Sequence, residues 1–223
     1  MREIATHFTK RDNGVYLFHD TVATLNKNEV VQNVINGLDN GLVVTGFGSV
    51  DGIVIQNCKV AILNSYGAAV GNLFVSNCPI LVKGFSGSRT GKIYSATEPT
   101  TILQYTGNAG ELGTTLEGFN FPKNPITTTA SSNNIINLFT IPTRLAGRLS
   151  IQNNDGANMM SYLVDLSYNG TDLTTTDEIK VLGGAINIAS LSVANGQLAL
   201  TCNTSSSITL NLVLDFQGEF YQA

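Results

Sequence analysis

Hydrophobic and polar positions repeat in one stretch of the chain. Residues 52–63 (GIVIQNCKVAIL) and 72–82 (NLFVSNCPILV) carry nearly the same pattern twenty positions apart, with an identical Asn-Cys pair in each. The pattern extends both ways. Ile53, Leu73 and Ile93 correspond, as do Val54, Phe74 and Tyr94, and further on Ile62, Val82 and Ile102. Upstream, Leu38 falls opposite Cys58 and Leu42 opposite Ile62; downstream, Leu112 keeps the phase and the pattern fades by Phe121. A recurrence that survives extension is a structural repeat, here of about four or five turns.

Leucine-rich repeats have a similar period but need a helical or 3₁₀ half and a leucine-dominated consensus, whereas both halves here alternate and are β-branched. Twenty residues suffice for a closed coil of two or three short strands, and such coils stack at about 4.8 Å. The prediction is an all-β chain whose residues 30–121 form a short parallel β-helix. Alternation places Ile53, Ile55, Cys58, Val60 and Ile62 inward, with Leu73, Val75, Cys78, Ile80 and Val82 above them. The same rule turns Val54, Phe74 and Tyr94 outward as an apolar stripe, a candidate subunit interface. Asn57 over Asn77, beside Cys58 over Cys78, is the expected stacked ladder at a corner, where asparagine tolerates the left-handed conformation. Pro79 strains this reading, since proline removes a ladder donor inside a strand. A duplicated hairpin in an antiparallel sandwich is the alternative.

The flanks differ. Residues 1–29 contain TKRDNGVYLF, in which Asp-Asn-Gly signals a hairpin or bend, and read as a cap or an anchoring segment. Residues 122–134 (PKNPITTTASSNN within them) have no periodicity and read as a linker. Residues 135–223 carry short alternating runs separated by turn signals, such as SYLVDLSYN and QLALTCN, the pattern of an antiparallel sandwich or jelly roll. The sequons at Asn169 and Asn203 read as turns.

Composition narrows the chemistry. Hydrophobic residues make up 43% of the chain and charged residues 13%, against roughly 25% charged on average, so polarity comes from Asn, Ser, Thr and Gly. The net charge of −4 and 12 Lys and Arg spread along the chain leave no densely basic face for nucleic acid. No apolar run approaches the ~20 residues of a membrane span, and no leader-like core opens the chain, so neither membrane insertion nor a secretory route is expected. Cys58, Cys78 and Cys202 have no metal spacing and read as buried reduced thiols.

No cofactor or metal is expected. Acid/base cleavage of a sugar bond needs two carboxyls roughly 5–9.5 Å apart. Asp39, Asp51, Glu98, Glu111 and Glu117 do not recur at the coil period, so nothing in the sequence pairs them. His7 and His19 are isolated. GSRTGKI resembles a phosphate loop only superficially, because Gly87 is too near Gly91-Lys92 and Ile93 stands where Ser or Thr would bind magnesium. The expectation from these residues is that the chain is not an enzyme.

A β-helix followed by an Asn/Ser/Thr-rich sandwich, ending in SSITLNLVLDFQGEF, resembles bacteriophage tailspikes and tail fibres. The resemblance implies a homotrimeric virion protein, made in the host cytoplasm, that contacts other virion proteins through its N-terminal segment and binds host surface polysaccharide. A trimeric capsid decoration or head-fibre protein is the alternative.

Overall fold

The structure is a computed structural model that describes residues 8–11, 14–17, 23–25, 34–44, 47–50, 53–65 and 68–223. His7, His19 and Asp51 lie outside the described residues. All secondary structure among the described residues is strand. The chain divides into two compact units, one of Met1–Phe119 with Phe220–Ala223 and one of Asn120–Glu219.

The first unit is a parallel β-helix. Its strands fall into three stacks. One holds β4 (Val34–Asn36), β7 (Ile53–Gln56), β10 (Leu73–Ser76) and β13 (Ile93–Ser95). The second holds β5 (Asn40–Val44), β8 (Val60–Asn64), β11 (Ile80–Gly84) and β14 (Thr101–Tyr105). The third holds β3 (Ala23–Leu25), β6 (Phe47–Val50), β9 (Ala68–Val70), β12 (Arg89–Thr90) and β15 (Thr114–Pro122). At the N-terminal side β1 (Phe8–Arg11) pairs antiparallel with β2 (Gly14–Leu17), and β2 runs parallel to β5. Each coil therefore has three short sides, and like residues stack on like in the register Ile53↔Leu73↔Ile93.

Period-2 alternation holds in the first stack, where Ile53, Ile55, Leu73, Val75 and Ile93 are buried. It fails in the second. Ala61 and Leu81 are as fully buried as Ile62 and Val82, while Ile80, expected inward, is only half-buried. Ladder pairing passes from Ile80↔Val60 to Val82↔Ile62, so the chain bends at position 61/81 and turns two successive residues to the interior. A flat alternation rule has no term for that bend.

Two further corrections concern register. Val82 pairs with Leu103, not Ile102, because the chain holds one residue more on its way from β13 to β14 than from β10 to β11: the spacing is 20 at Leu73↔Ile93 and 21 at Ile80↔Thr101. The added residue is absorbed at Pro79, whose carbonyl accepts from both Thr100 N and Thr101 N at 2.9 Å. Pro79 itself lies at an exposed corner between β10 and β11, outside the strands, where the equivalent Lys59 N donates to Leu38 O at 3.2 Å, so proline costs one inter-coil bond at the corner and none within a strand. Leu112 is 72% exposed and does not continue the interior; β15 does so instead, through Leu116 and Phe119. Phe119 packs edge-to-face on Phe220 at 5.5 Å, which ties the end of the chain back into this unit.

The second unit is antiparallel. β18 (Arg144–Asn154), β19 (Met159–Tyr168) and β20 (Leu173–Leu182) form a meander, with β24 (Leu212–Gln222) on the other side of β18. β17 (Asn133–Thr140), β22 (Gln197–Thr204) and β21 (Ile186–Ala194) form a second sheet. Alternate residues of both sheets, among them Leu149, Tyr162, Val164, Leu200, Leu214 and Phe216, are fully buried and supply the core. Residues 122–134 are held along their length. Lys123 N donates to Leu212 O at 2.7 Å, Thr128 N to Ile208 O at 2.9 Å, and β16 (Ile126–Thr127) pairs with β23 (Thr209–Leu210). Asn169 folds an Asx turn, its Oδ1 accepting from Thr171 N and Asp172 N.

Candidate functional site

The residues singled out in the repeat come together on one corner and one side of the β-helix. Asn57 and Asn77 occupy the corners between the first and second sides of successive coils, with φ of 55° and 53°. Gly37 takes the equivalent place one coil earlier at φ 72°. The left-handed conformation closes the corner, and asparagine is among the few side-chain-bearing residues that adopt it readily. Asn77 Nδ2 donates to Asn57 Oδ1 at 3.2 Å and Asn57 Nδ2 to Asn36 Oδ1 at 2.8 Å. The ladder ends where Asn77 N donates to Thr97 Oγ1 at 3.0 Å.

One residue on, the two thiols point inward. Cys58 and Cys78 are 1% and 2% exposed, and Cys58 N donates to Cys78 Sγ at 3.4 Å. Each thiol donates to a carbonyl within its own corner, Cys58 to Gln56 O and Cys78 to Ser76 O, both at 3.4 Å. Burial pushes the Cys78 thiol up to about 11, outweighing the hydrogen bond from Cys58 N, which acts the other way. Burial also raises Cys202 in the second unit. Thiolates are disfavoured at both sites, so these sulfurs are packing groups rather than nucleophiles.

On the outer surface of the first stack, Val54, Phe74 and Tyr94 stand in register. Phe74 is 43% exposed and its ring stacks on Tyr94 with centroids 5.5 Å apart and an interplanar angle of 22°. The Lys92 ammonium lies 5.1 Å from the Tyr94 ring centroid. The result is a fixed aromatic pair on a straight-sided surface, with Val54 continuing it into the coil before.

Of the candidate carboxylates, Asp39, Glu111 and Glu117 are engaged with cations or amides. Asp39 pairs with Lys59 and Glu117 with Arg89, both at 2.7 Å. Glu111 accepts from Asn108 at 2.9 Å, which holds its carboxyl below the ordinary value. The Asp39–Lys59 pair spans adjacent coils at equivalent positions, a relation readable in the sequence once the period is known. The GSRTGKI segment is a turn at Gly87 (φ 70°), the two-residue strand β12 paired in parallel on both sides, and the connection into β13, so it leads into a strand and not into the helix that a phosphate loop opens. No group of three or more His, Cys, Asp or Glu close enough to hold a metal occurs among the described residues. No helix of the described residues is long and apolar enough to cross a membrane.

No protein-family model and no curated protein matches the sequence. Among solved structures, the chain is similar to the tailspike protein of Acinetobacter phage vB_ApiP_P1, with 10% identity and a TM-score of 0.33, over 85% of this chain and 56% of that one. It is also similar to the tailspike protein gp49 of Acinetobacter baumannii bacteriophage Fri1, described as a capsular polysaccharide depolymerase, with 9% identity and a TM-score of 0.31. That match covers 93% of this chain and 68% of the other. The chain thus spans little more than half the length of the first of these proteins. One expectation is corrected by the comparison. The expectation that the chain is not an enzyme does not stand, because the similar tailspike gp49 is described as a capsular polysaccharide depolymerase.

Proposed function

We propose that this chain is a structural protein of a bacteriophage tail, a spike or fibre that assembles as a homotrimer and binds host surface polysaccharide. The observation that carries the proposal is the Val54, Phe74 and Tyr94 stripe. Isolated exposed apolar side chains are ordinary, but a row in register that includes a stacked aromatic pair is costly to leave in water and suited to burial against a second copy. The number three comes from the resemblance of the sequence to trimeric tailspikes and fibres. The sparse charge of the chain, 13% of residues, and its wealth of hydroxyl and amide groups suit a polyhydroxylated ligand better than an ionic one.

Size-exclusion chromatography with light scattering tests the assembly. The expected mass is three times the 23.7 kDa of one chain. Adsorption of the labelled protein to purified surface polysaccharides from a panel of bacterial strains tests the ligand. A monomer at micromolar concentration, or no adsorption to any polysaccharide of the panel, overturns the corresponding half.

A further inference from the structure

We propose that the outer face of the β18–β19–β20 meander is a binding site for a neutral sugar ring, with the Arg148–Asp165 pair as its hydrogen-bonding centre. The proposal rests on the polysaccharide-binding reading above and assigns that binding a place in the second unit. The site is an open depression of about 460 Å³ lined by Arg148, Asp165, Ser167, Thr174 and Thr176, with Gly147 and Leu166 at its floor. That volume is within the range of small-ligand sites, about 300–1,000 Å³.

The lining follows from strand register. Arg148 is the cross-strand partner of Asp165, and Asp165 of Thr176, so one row carries a guanidinium, a carboxylate and a hydroxyl side by side. The adjoining row brings Ser167 against Thr174. One row the other way, Leu163 pairs with Ile179, which is 59% exposed, and Val181 beyond it is 53% exposed. The face is thus polar at one end and aliphatic at the other. A sugar ring has the same division, with a hydroxyl edge and a C–H face.

The ion pair sets the chemistry. Arg148 donates from Nε to Asp165 Oδ1 at 2.6 Å and from Nη2 to Oδ2 at 2.7 Å, a two-pronged contact that fixes both groups in one geometry. The fork leaves guanidinium N–H groups beside carboxylate lone pairs, because Arg has five donors and each carboxylate oxygen accepts more than one bond. Two neighbouring ring hydroxyls, each both donor and acceptor, match that alternation. The pair is neutral as a unit, and Asp177 adds negative charge near Arg148. An anionic ligand would therefore meet repulsion, and a cation would have to compete with Arg148 for the carboxylate.

The backbone opens the site. Between Leu163↔Ile179 and Asp165↔Thr176 the register shifts, and Asp177 sits in the left-handed region at φ 50°. This is a bulge, a feature that bends a strand and re-aims the flanking side chains. The site is built on paired strands, which hold its groups more firmly than loops would.

The test is retention of the full chain on an array of immobilised neutral glycans built from hexoses, deoxyhexoses and N-acetylhexosamines. Thermal melts are recorded on every variant. Arg148→Lys keeps the charge and loses the fork, Asp165→Asn removes the acceptor charge, and Thr176→Val removes one exposed hydroxyl while leaving the ion pair intact. Wild-type retention on at least one glycan, weakened about tenfold or more by Arg148→Lys and by Asp165→Asn and measurably by Thr176→Val, supports the site. Retention that none of the three alters overturns it, as does retention of no glycan. A change in oligomer mass in place of a change in glycan retention makes the face a subunit contact and also overturns it. If wild type and variants adsorb equally to whole polysaccharide, the receptor reading stands and this site alone falls; if the wild type does not adsorb at all, both fall.

Discussion

Asn77 donates through its side-chain amide to Asn57 in the preceding coil at 3.2 Å while its own backbone sits at φ 53°. The two properties are separable by mutation. Asn77→Ala loses the amide and keeps a Cβ in the left-handed region, which costs roughly 1–2 kcal/mol for backbone strain alone. Asn77→Gly loses the amide but relieves the strain. The expected order of stability in urea melts is wild type, then Gly, then Ala. Ala at least as stable as Gly would show that the corner is not held in this conformation.

The paired thiols give a pH-dependent prediction. Burial raises Cys78 from an ordinary thiol value of 9.0 to about 11 in the folded protein. A raised folded value means that the folded state holds its proton more tightly, so the contribution is complete below the unfolded value and is lost as pH rises through the window from 9 to about 11. By the upper part of that window the loss is about 2 kcal/mol. Cys78→Ala should therefore lose less stability between neutral and alkaline pH than the wild type. In the native state at neutral pH a thiol reagent should label neither Cys58 nor Cys78 before unfolding. Equal alkaline slopes in the two proteins, or fast native labelling, would count against the buried placement.

Core and surface positions of the same repeat should respond differently. Leu73 and Ile62 are fully buried, and truncating either to Ala should cost ~2–5 kcal/mol. Lys59 lies at the exposed corner in an ion pair whose side chains are 79% and 60% exposed, so Lys59→Ala should change stability little. Chemical denaturation of the three variants checks the contrast. Comparable losses at Leu73 and Lys59 would mean that the repeat does not form this interior.

The same contrast explains what could be read from the sequence. Ile53, Leu73 and Ile93 are visible because they belong to alternating sides of three or four residues at an unbroken spacing, and Asn57 and Asn77 because a corner restricts residue choice. The third side of each coil was not visible. Its strands, such as Ala68–Val70 and Arg89–Thr90, are too short to establish a period. The Val82↔Leu103 register depends on one added corner residue, and the burial of Ala61 and Leu81 on a local bend, neither of which hydrophobicity encodes. On β20 the pattern is inverted. Glu178 lies beside the buried Tyr162, whose hydroxyl donates to it at 2.7 Å, and it also pairs with Lys180, while Ile179 and Val181 face out. Charges turned toward the core side of an edge strand discourage further strand pairing, a requirement that competes with burial. The Arg148–Asp165 depression was hidden for a different reason: its groups sit on three strands, and only the hairpin registers bring them together.

The last prediction concerns the aromatic stripe. Phe74 points away from the interior, so Phe74→Asp should leave the coil core intact and act on whatever covers the outer face. If a second copy covers it, the substitution places a desolvated, unpaired carboxylate in the contact, a cost of several kcal/mol per interface that weakens assembly strongly. If water covers it, the exchange of a 43% exposed ring for a charge should change little beyond the loss of stacking on Tyr94. Light scattering across a dilution series separates the two, and far-ultraviolet circular dichroism confirms that the strands remain. A trimer that dissociates at higher concentration in Phe74→Asp than in wild type is the expected result. A variant trimer as stable to dilution as the wild type would remove this stripe from the subunit contact, whatever the oligomeric state proves to be.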